Sequence, residues 1–165
     1  MSPRIPIAIV MALASIGARG AELPTVVVST GQLGMRKEIA HALAIDVQVR
    51  PPWQWNLLLP VAGVLTSSKG GAYLYTGVAA EIPLGGSVLL SPCFAPGVVL
   101  ASADRDLGYP IEFRSALELS ASILSVRMGL SVSHISNARL GSHNPGVEVL
   151  TFSVSTRDVS LAHAR

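Results

Sequence analysis

Three residues near the end of the chain have the side chains of a serine hydrolase triad: His134, Ser136 and Glu148. A serine hydroxyl becomes a nucleophile when an imidazole takes its proton, and a carboxylate that orients the imidazole stabilises the charge that forms. Such a set hydrolyses esters without a metal ion. Because residues two apart in a strand share a face, a strand would place His134 and Ser136 on the same side.

The sequence around these residues predicts a hairpin that brings the carboxylate to the histidine. Apolar residues alternate with small or polar ones from Leu124 to Ser133, and a second alternating run spans Val147 to Ser155. Joining the two strands through a loop of about nine residues, Ala138 to Gly146, predicts a register with His134 opposite Glu148 and Cβ atoms about 5 Å apart. In this register all three side chains share the apolar face.

Composition and periodicity predict that these strands belong to a membrane barrel. Hydrophobic residues make up 50% of the 165-residue chain and charged residues only 13%, against about a quarter in soluble domains. No run after the N-terminal segment is apolar for about 18 residues, the length that a membrane helix needs. A closed barrel is the other structure that can span a bilayer, since it leaves no sheet edge unpaired.

Period-two alternation is clearest over 39–49 and 111–119, and turn signals separate the other runs. We therefore expect an all-β fold, an eight-stranded antiparallel transmembrane barrel of the outer-membrane type, which has a lumen filled by side chains. The predicted strands are 24–30, 38–49, 54–66, 72–82, 87–101, 110–120, 122–137 and 147–155.

The N-terminus has the order of a secretory signal peptide: Arg4, an apolar stretch from Ile5 to Ile16, and small residues up to Ala21. We expect residues 1–20 to be cleaved on export and residues 21–165 to form the barrel domain. A net charge of +2, with scattered Lys and Arg, does not fit a nucleic-acid-binding protein. The lone Cys93 cannot form an internal disulfide.

A soluble barrel of the lipocalin kind, with its apolar face around a ligand, shows the same alternation. The membrane interpretation is favoured by the low charge and by one strand in which Leu124, Val126, Met128, Leu130 and Val132 follow one another on a face without any charge. The opposite face carries Ser125, Arg127, Gly129, Ser131 and Ser133 and predicts a polar lumen.

The string His134-x-Ser136-Asn137, followed by Asn144-Pro145-Gly146 and Glu148, resembles the active-site signature of the lipid A 3-O-deacylase (PagL) family. The resemblance is most specific over Phe94 to Ser155. It implies an outer-membrane enzyme of a Gram-negative bacterium that removes the ester-linked 3-hydroxyacyl chain from position 3 of lipid A, with His134, Ser136 and Glu148 as the triad. The resemblance also implies that the enzyme needs no cofactor or metal ion, and it is compatible with a homodimer.

The same resemblance assigns Asn137 to the oxyanion hole, to which its side-chain amide could donate. At Arg139 the chain departs from the family, which commonly has a glycine there, and we expect this arginine to contact a lipid A phosphate. A second departure is the tail Thr156 to Arg165, which lacks the terminal aromatic residue usual in these barrels. The alternatives are a non-catalytic outer-membrane barrel that contacts lipopolysaccharide and the soluble ligand-binding barrel.

The remaining histidines and aromatic residues predict membrane-interface or surface positions. His41 lies on an apolar strand face and His143 in the last loop, and neither has partners at metal-ligand spacing. We expect four aromatic residues to contribute to an interfacial belt: Trp53, Trp55, Tyr73 and Tyr75.

Overall fold

The computed structural model describes residues 24–35, 41–101, 106–123 and 126–155. The predicted signal peptide and the tail after Ser155 lie outside them. No helix among the described residues is long and apolar enough to cross a membrane. The strands are β1 (Thr25–Leu33), β2 (Ala42–Arg50), β3 (Leu58–Ser67), β4 (Ala72–Ala80), β5 (Ile82–Gly85), β6 (Val88–Ala101), β7 (Ile111–Ile123), β8 (Val126–Ser136) and β9 (Val147–Ser155).

The sheet closes into an eight-stranded antiparallel barrel. Strand β1 pairs with β2 and with β9, and the other strands follow in chain order on either side. Pairing of β4 with β6 closes the circle. Strand β5 continues β4 after Glu81 and pairs with the same neighbour, β6, so the two count as one barrel strand. The predicted fold is confirmed.

Strand β3 begins at Leu58 rather than at the predicted position 54. Trp55 and Leu58 exchange two backbone hydrogen bonds, of 2.8 and 2.9 Å, and thereby close a tight turn. Asn56 adopts a φ of 55° in this turn, a left-handed conformation that asparagine tolerates. The aromatic and apolar residues of the turn gave no signal that separates it from a strand.

Side chains alternate between an apolar outer wall and a polar lumen. Exposed residues of the wall include Leu43, Ile45, Leu117, Leu119, Leu130, Val132 and Phe152, whereas buried residues of the lumen include Asp46, Gln48, Arg50, Arg114, Glu118, Arg127 and Ser131. This is the distribution of a barrel whose outer solvent is hydrocarbon. It is the reverse of a soluble ligand-binding barrel, which excludes that alternative.

The belt prediction is wrong for the two tyrosines. Tyr73 and Tyr75 lie on the inner face of β4, with 5% and 1% exposure, and their rings stack at a centroid distance of 5.7 Å. The Tyr75 hydroxyl donates to Asp46 at 2.9 Å, a polar partner that the lumen offers and lipid does not. Trp53 and Trp55 are exposed, at the end of the barrel that also carries Thr25 and Ser155.

Several charged side chains in the lumen form ion pairs. Arg114 Nη2 lies 3.1 Å from Asp46 Oδ2, and its guanidinium covers the Tyr75 ring at 4.8 Å. Arg50 bridges Glu81 and Glu118, each at 3.4 Å. Because a buried charge is costly unless it is paired, these contacts hold the barrel wall from inside.

The two ends of the barrel differ. Thr25 and Ser155 lie at one end, called here the terminal end, and the loop Ala138 to Gly146 lies at the other, the loop end. At the loop end the lumen is filled by an apolar cluster in which Tyr73 and Ala95 pack with residues of the last hairpin: Ile135, Val147 and Val149. This cluster gives the last hairpin a rigid inner support.

Candidate active site

The predicted register of the last hairpin is present. His134 on β8 pairs with Glu148 on β9, and both side chains point away from the lumen. His134 Nδ1 lies 3.5 Å from Glu148 Oε1, and the two side chains are 47% and 20% exposed. A carboxylate beside Nδ1 favours the tautomer that leaves Nε2 free to accept a proton.

Ser136 is the next outward residue on the same strand and is partly buried. Two residues of strand separate the Cα atoms of Ser136 and His134 by about 7 Å. In the described part of the chain no hydrogen bond joins the Ser136 hydroxyl to the imidazole. Catalytic hydrogen bonds are often long in the absence of substrate and shorten when substrate binds.

The inner neighbours of the three residues fix the backbone beneath them. Ile135, Val147 and Val149 are each 2% exposed and alternate with the outward side chains. Strand β1 adds a further constraint, because the Gly34 N–H donates to the Glu148 carbonyl at 2.8 Å. The outward side chains are thus presented by a backbone that is packed on one face and hydrogen-bonded at its edges.

Gly146 is a positioning residue that the sequence pattern identified only as part of a turn. Its φ is 59°, and a Cβ added to it would lie 2.7 Å from His134 Cε1 and 3.1 Å from His134 Nε2. Only glycine therefore permits both the turn and the observed place of the imidazole. The Asn-Pro-Gly turn signal could not reveal this, since the contact depends on how the loop folds over the strand.

Outward polar side chains continue across the barrel wall on either side of His134. Ser115 on β7 pairs with His134, and the His41 ring on the far side of Glu148 contacts the carbonyl of Gly34. We call this set the polar row: Ser115, His134, Glu148 and His41. It runs at one height near the loop end across β7, β8 and β9 and, beyond β1, to the residue that precedes β2.

Comparison with known proteins gives the family. The family model described as lipid A 3-O-deacylase (PagL) matches residues 43–157. This chain belongs to the PagL family. The crystal structure of the outer membrane enzyme PagL superposes with a TM-score of 0.63 at 18% identity, covering 79% of this chain and 97% of that chain. At this identity the likeness shows the fold.

A second solved structure, the Yersinia pestis outer membrane protein Ail in a phospholipid bilayer nanodisc, has a TM-score of 0.48 and 11% identity, over 80% of this chain and 99% of that one. Among curated proteins, none matches the sequence significantly. PagL membership together with the apolar outer wall makes this chain an outer-membrane hydrolase, as the sequence predicted.

In this PagL family member, Asn137 is fully buried and its side chain holds two loops together. Its amide nitrogen donates to the carbonyls of Leu107 and His143 at 2.8 and 2.9 Å, and its amide oxygen accepts from the Arg139 N–H at 2.8 Å. The Asn137 N–H donates to Asn144 Oδ1. The oxyanion role predicted for this amide would require one of its two donated hydrogen bonds to break.

Arg139 lies exposed at the loop end, close in sequence to Ser136, and its backbone has a conformation that glycine usually adopts. Ala138 and Arg139 have φ values of 52° and 67°, so both occupy the left-handed region where glycine carries no steric cost. The hydrogen bond from the Arg139 N–H to Asn137 helps to hold this conformation. The loop thus keeps the shape that glycine favours without having one there.

Other candidate residues lie apart from the triad. His143 Nε2 is 3.9 Å from Asp106 Oδ2 at the exposed loop end. Cys93 is a free thiol packed beside the lumen clusters. Among the described residues no three His, Cys, Asp or Glu side chains are grouped to hold a metal ion, and a metal-free reaction stays a prediction.

Proposed function

We propose that this protein hydrolyses the ester-linked 3-hydroxyacyl chain at position 3 of lipid A, with Ser136, His134 and Glu148 as the catalytic triad. The observation that carries the proposal is the His134–Glu148 pair beside Ser136 on the outer wall of a membrane barrel. Polar groups on a lipid-facing surface are costly unless they act there. An ester within a lipid is the substrate that such a position can reach.

In the proposed reaction, Ser136 Oγ attacks the ester carbonyl while His134 takes the hydroxyl proton. The tetrahedral intermediate collapses, the carbon–oxygen bond to the sugar breaks, and His134 gives its proton to the leaving sugar oxygen. Water, deprotonated by the same imidazole, then releases the fatty acid from the serine. Glu148 holds the imidazole and stabilises its positive charge in both steps.

The height of the polar row supports a substrate that stays in the membrane. Directly below it on the outer wall lie Leu117, Val132 and Leu150, each paired with the next across the sheet. An acyl chain can therefore lie against apolar side chains while its ester reaches Ser136. With the loop end facing outward, the row meets the outer leaflet, where lipid A resides.

Two further roles are proposed at the loop end. The Arg139 side chain, exposed near Ser136, would contact a phosphate of lipid A through a charge-assisted hydrogen bond. Asn137 would donate to the oxyanion if substrate displaced one of the carbonyls that it now contacts. Its present contacts support a positioning role, in which it holds the loop that follows Ser136.

The proposal is tested by mass spectrometry of lipid A from cells that express this chain or its Ser136→Ala variant at equal outer-membrane abundance. We expect the loss of one 3-hydroxyacyl mass only in cells with the intact serine. Equal lipid A in both, from a barrel that is folded and inserted, would favour the second candidate, a non-catalytic barrel that contacts lipopolysaccharide.

A further inference from the structure

Below the polar row the outer faces of β7, β8 and β9 carry apolar side chains, and this apolar surface is interrupted at β1. In the first row below it, Leu117, Val132 and Leu150 are followed on β1 by Gln32, which pairs with Leu150. In the second row, Leu119, Leu130 and Phe152 are followed by Thr30, which pairs with Phe152. Strand β1 therefore places shorter or polar side chains between two columns of larger apolar ones.

The result is a groove along β1, called here the β1 groove. Its volume is about 650 Å³, and its lining includes Thr30, Gln32, Leu43, Leu130, Leu150 and Phe152. The upper end of the groove is lined by His41, whose ring contacts the carbonyl of Gly34, a residue that contributes no side chain to the wall. From Gly34 to Thr30 it runs about 13 Å toward the middle of the membrane. A groove of this shape on a lipid-facing wall fits an acyl chain.

The reacting ester is expected on the other side of the triad, although Leu130 of β8 and Leu150 of β9 belong to the lining of the groove. Ser136 pairs with Phe113 on β7, so the nucleophile lies on the β7 side of the triad, whereas the groove opens on the far side of Glu148. Strands lie about 4.8 Å apart, which places β1 about 10 Å from β8. Lipid A carries several acyl chains on one headgroup. A second chain of the same lipid molecule can reach across this distance to the groove while the reacting ester lies at Ser136.

The upper end of the groove is polar and lies at the height of the triad. Gln32 Nε2 is 2.8 Å from His41 Nδ1, and both side chains are on the outer surface. Amide and imidazole groups at this height can hydrogen-bond the oxygen atoms where an acyl chain joins its headgroup. The groove thus pairs a polar end with an apolar channel, in the order in which a lipid presents them.

We propose that the β1 groove binds an acyl chain of the substrate lipid other than the chain that is cleaved. This rests on the proposed lipid A deacylation and deepens it. Binding of a chain that does not react orients the ester at Ser136, and this remote binding energy serves catalysis at the reacting centre. The enzyme would then select lipids with several chains over esters with one.

The test fills the groove with Thr30→Phe and uses Thr76→Phe as the matched control. Both threonines are exposed on the outer wall, but Thr76 lies on β4, away from the groove. Two substrates are compared in detergent micelles: lipid A, and a glucosamine that carries a single ester-linked 3-hydroxyacyl chain. Thr30→Phe should lower kcat/KM for lipid A about tenfold or more and leave the single-chain ester unaffected. Thr76→Phe should change neither.

A rate with lipid A that is unchanged in Thr30→Phe, or lowered equally for both substrates, would overturn the groove proposal. A binding measurement tests the groove proposal independently of the proposed reaction. In a Ser136→Ala background, Thr30→Phe should weaken lipid A binding about tenfold by calorimetry. If the protein cleaves neither substrate but shows this loss of binding, deacylation fails and the groove stands. Equal lipid A binding by Ser136→Ala and by Ser136→Ala with Thr30→Phe would overturn the groove proposal.

Discussion

The lumen and the outer wall of this barrel each carry a set of polar residues, and the two sets differ in how their side chains are paired. In the lumen, Asp46, Arg114 and Tyr75 are buried and bonded to one another. On the wall, His134 is half exposed and its contact with Glu148 is 3.5 Å long. The charged groups of the lumen set pair with one another inside the protein, whereas the wall set leaves polar groups accessible to a substrate.

This difference separates stability from chemistry in one sheet. Because successive residues face opposite sides, a strand such as β8 gives its inner face to packing and its outer face to two residues of the proposed triad. Ile135, for instance, is buried between His134 and Ser136. Substitutions on the outer face should therefore affect activity, and substitutions on the inner face should affect stability.

The largest effect is expected from His134→Ala, which removes the proposed general base. The rate of lipid A deacylation should fall by about 10⁶-fold, and adding Ser136→Ala should cause no further loss because the triad acts as a unit. The measurement is kcat with purified, folded barrel. His143→Ala, an exposed histidine of the same loop end, is the control and should retain activity. Substantial activity in His134→Ala would contradict the triad.

A smaller effect is expected from Gly146→Ala, because its Cβ would displace the His134 ring. A misplacement of about 1 Å should lower kcat about 10²-fold with little change in KM. Gly86→Ala is a matched control, since Gly86 has a φ of 56° and no atom within 4 Å of an added Cβ. Equal losses in the two variants would show that backbone strain, and not the histidine contact, is responsible.

The smallest effect on activity is expected from Asp46→Asn in the lumen. Leaving the Arg114 guanidinium without its carboxylate should cost about 3 kcal/mol of stability while deacylation continues. The temperature at which the folded band disappears in unboiled gel electrophoresis measures this. Asp106→Asn, at an exposed carboxylate, makes the same charge change and should leave that temperature unaltered. Loss of activity from a folded Asp46→Asn barrel would contradict the conclusion that the lumen set contributes to stability and not to activity.

Much of the fold could be predicted because period-two alternation reports directly which face meets lipid. The register of the last hairpin followed from parity and a short loop, and it brought His134 to Glu148 as expected. The same parity, applied to β4, would have placed Tyr73 and Tyr75 in the lumen. Their assignment to an aromatic belt failed because it relied on residue type alone.

The rest depends on contacts between distant segments. The polar row reaches His41 only because β1 pairs with both β2 and β9, and no local pattern shows that closure. The contacts of Asn137 depend on the approach of the loop that contains Leu107, thirty positions earlier in the chain. Gly146 acquires its role from a positive φ and a neighbouring ring, which a turn signal does not convey.

The proposed reaction requires Ser136 to be an activated nucleophile on the lipid-facing wall. Labelling of intact outer membranes with a lipid-soluble, serine-reactive fluorophosphonate probe tests it most directly. Ser115 is the matched control, because it is also an outward serine beside His134. We predict that the intact protein and Ser115→Ala are labelled, that peptide mapping places the label on Ser136, and that Ser136→Ala and His134→Ala are not labelled. Label on Ser115, or equal labelling of folded Ser136→Ala, would contradict the claim.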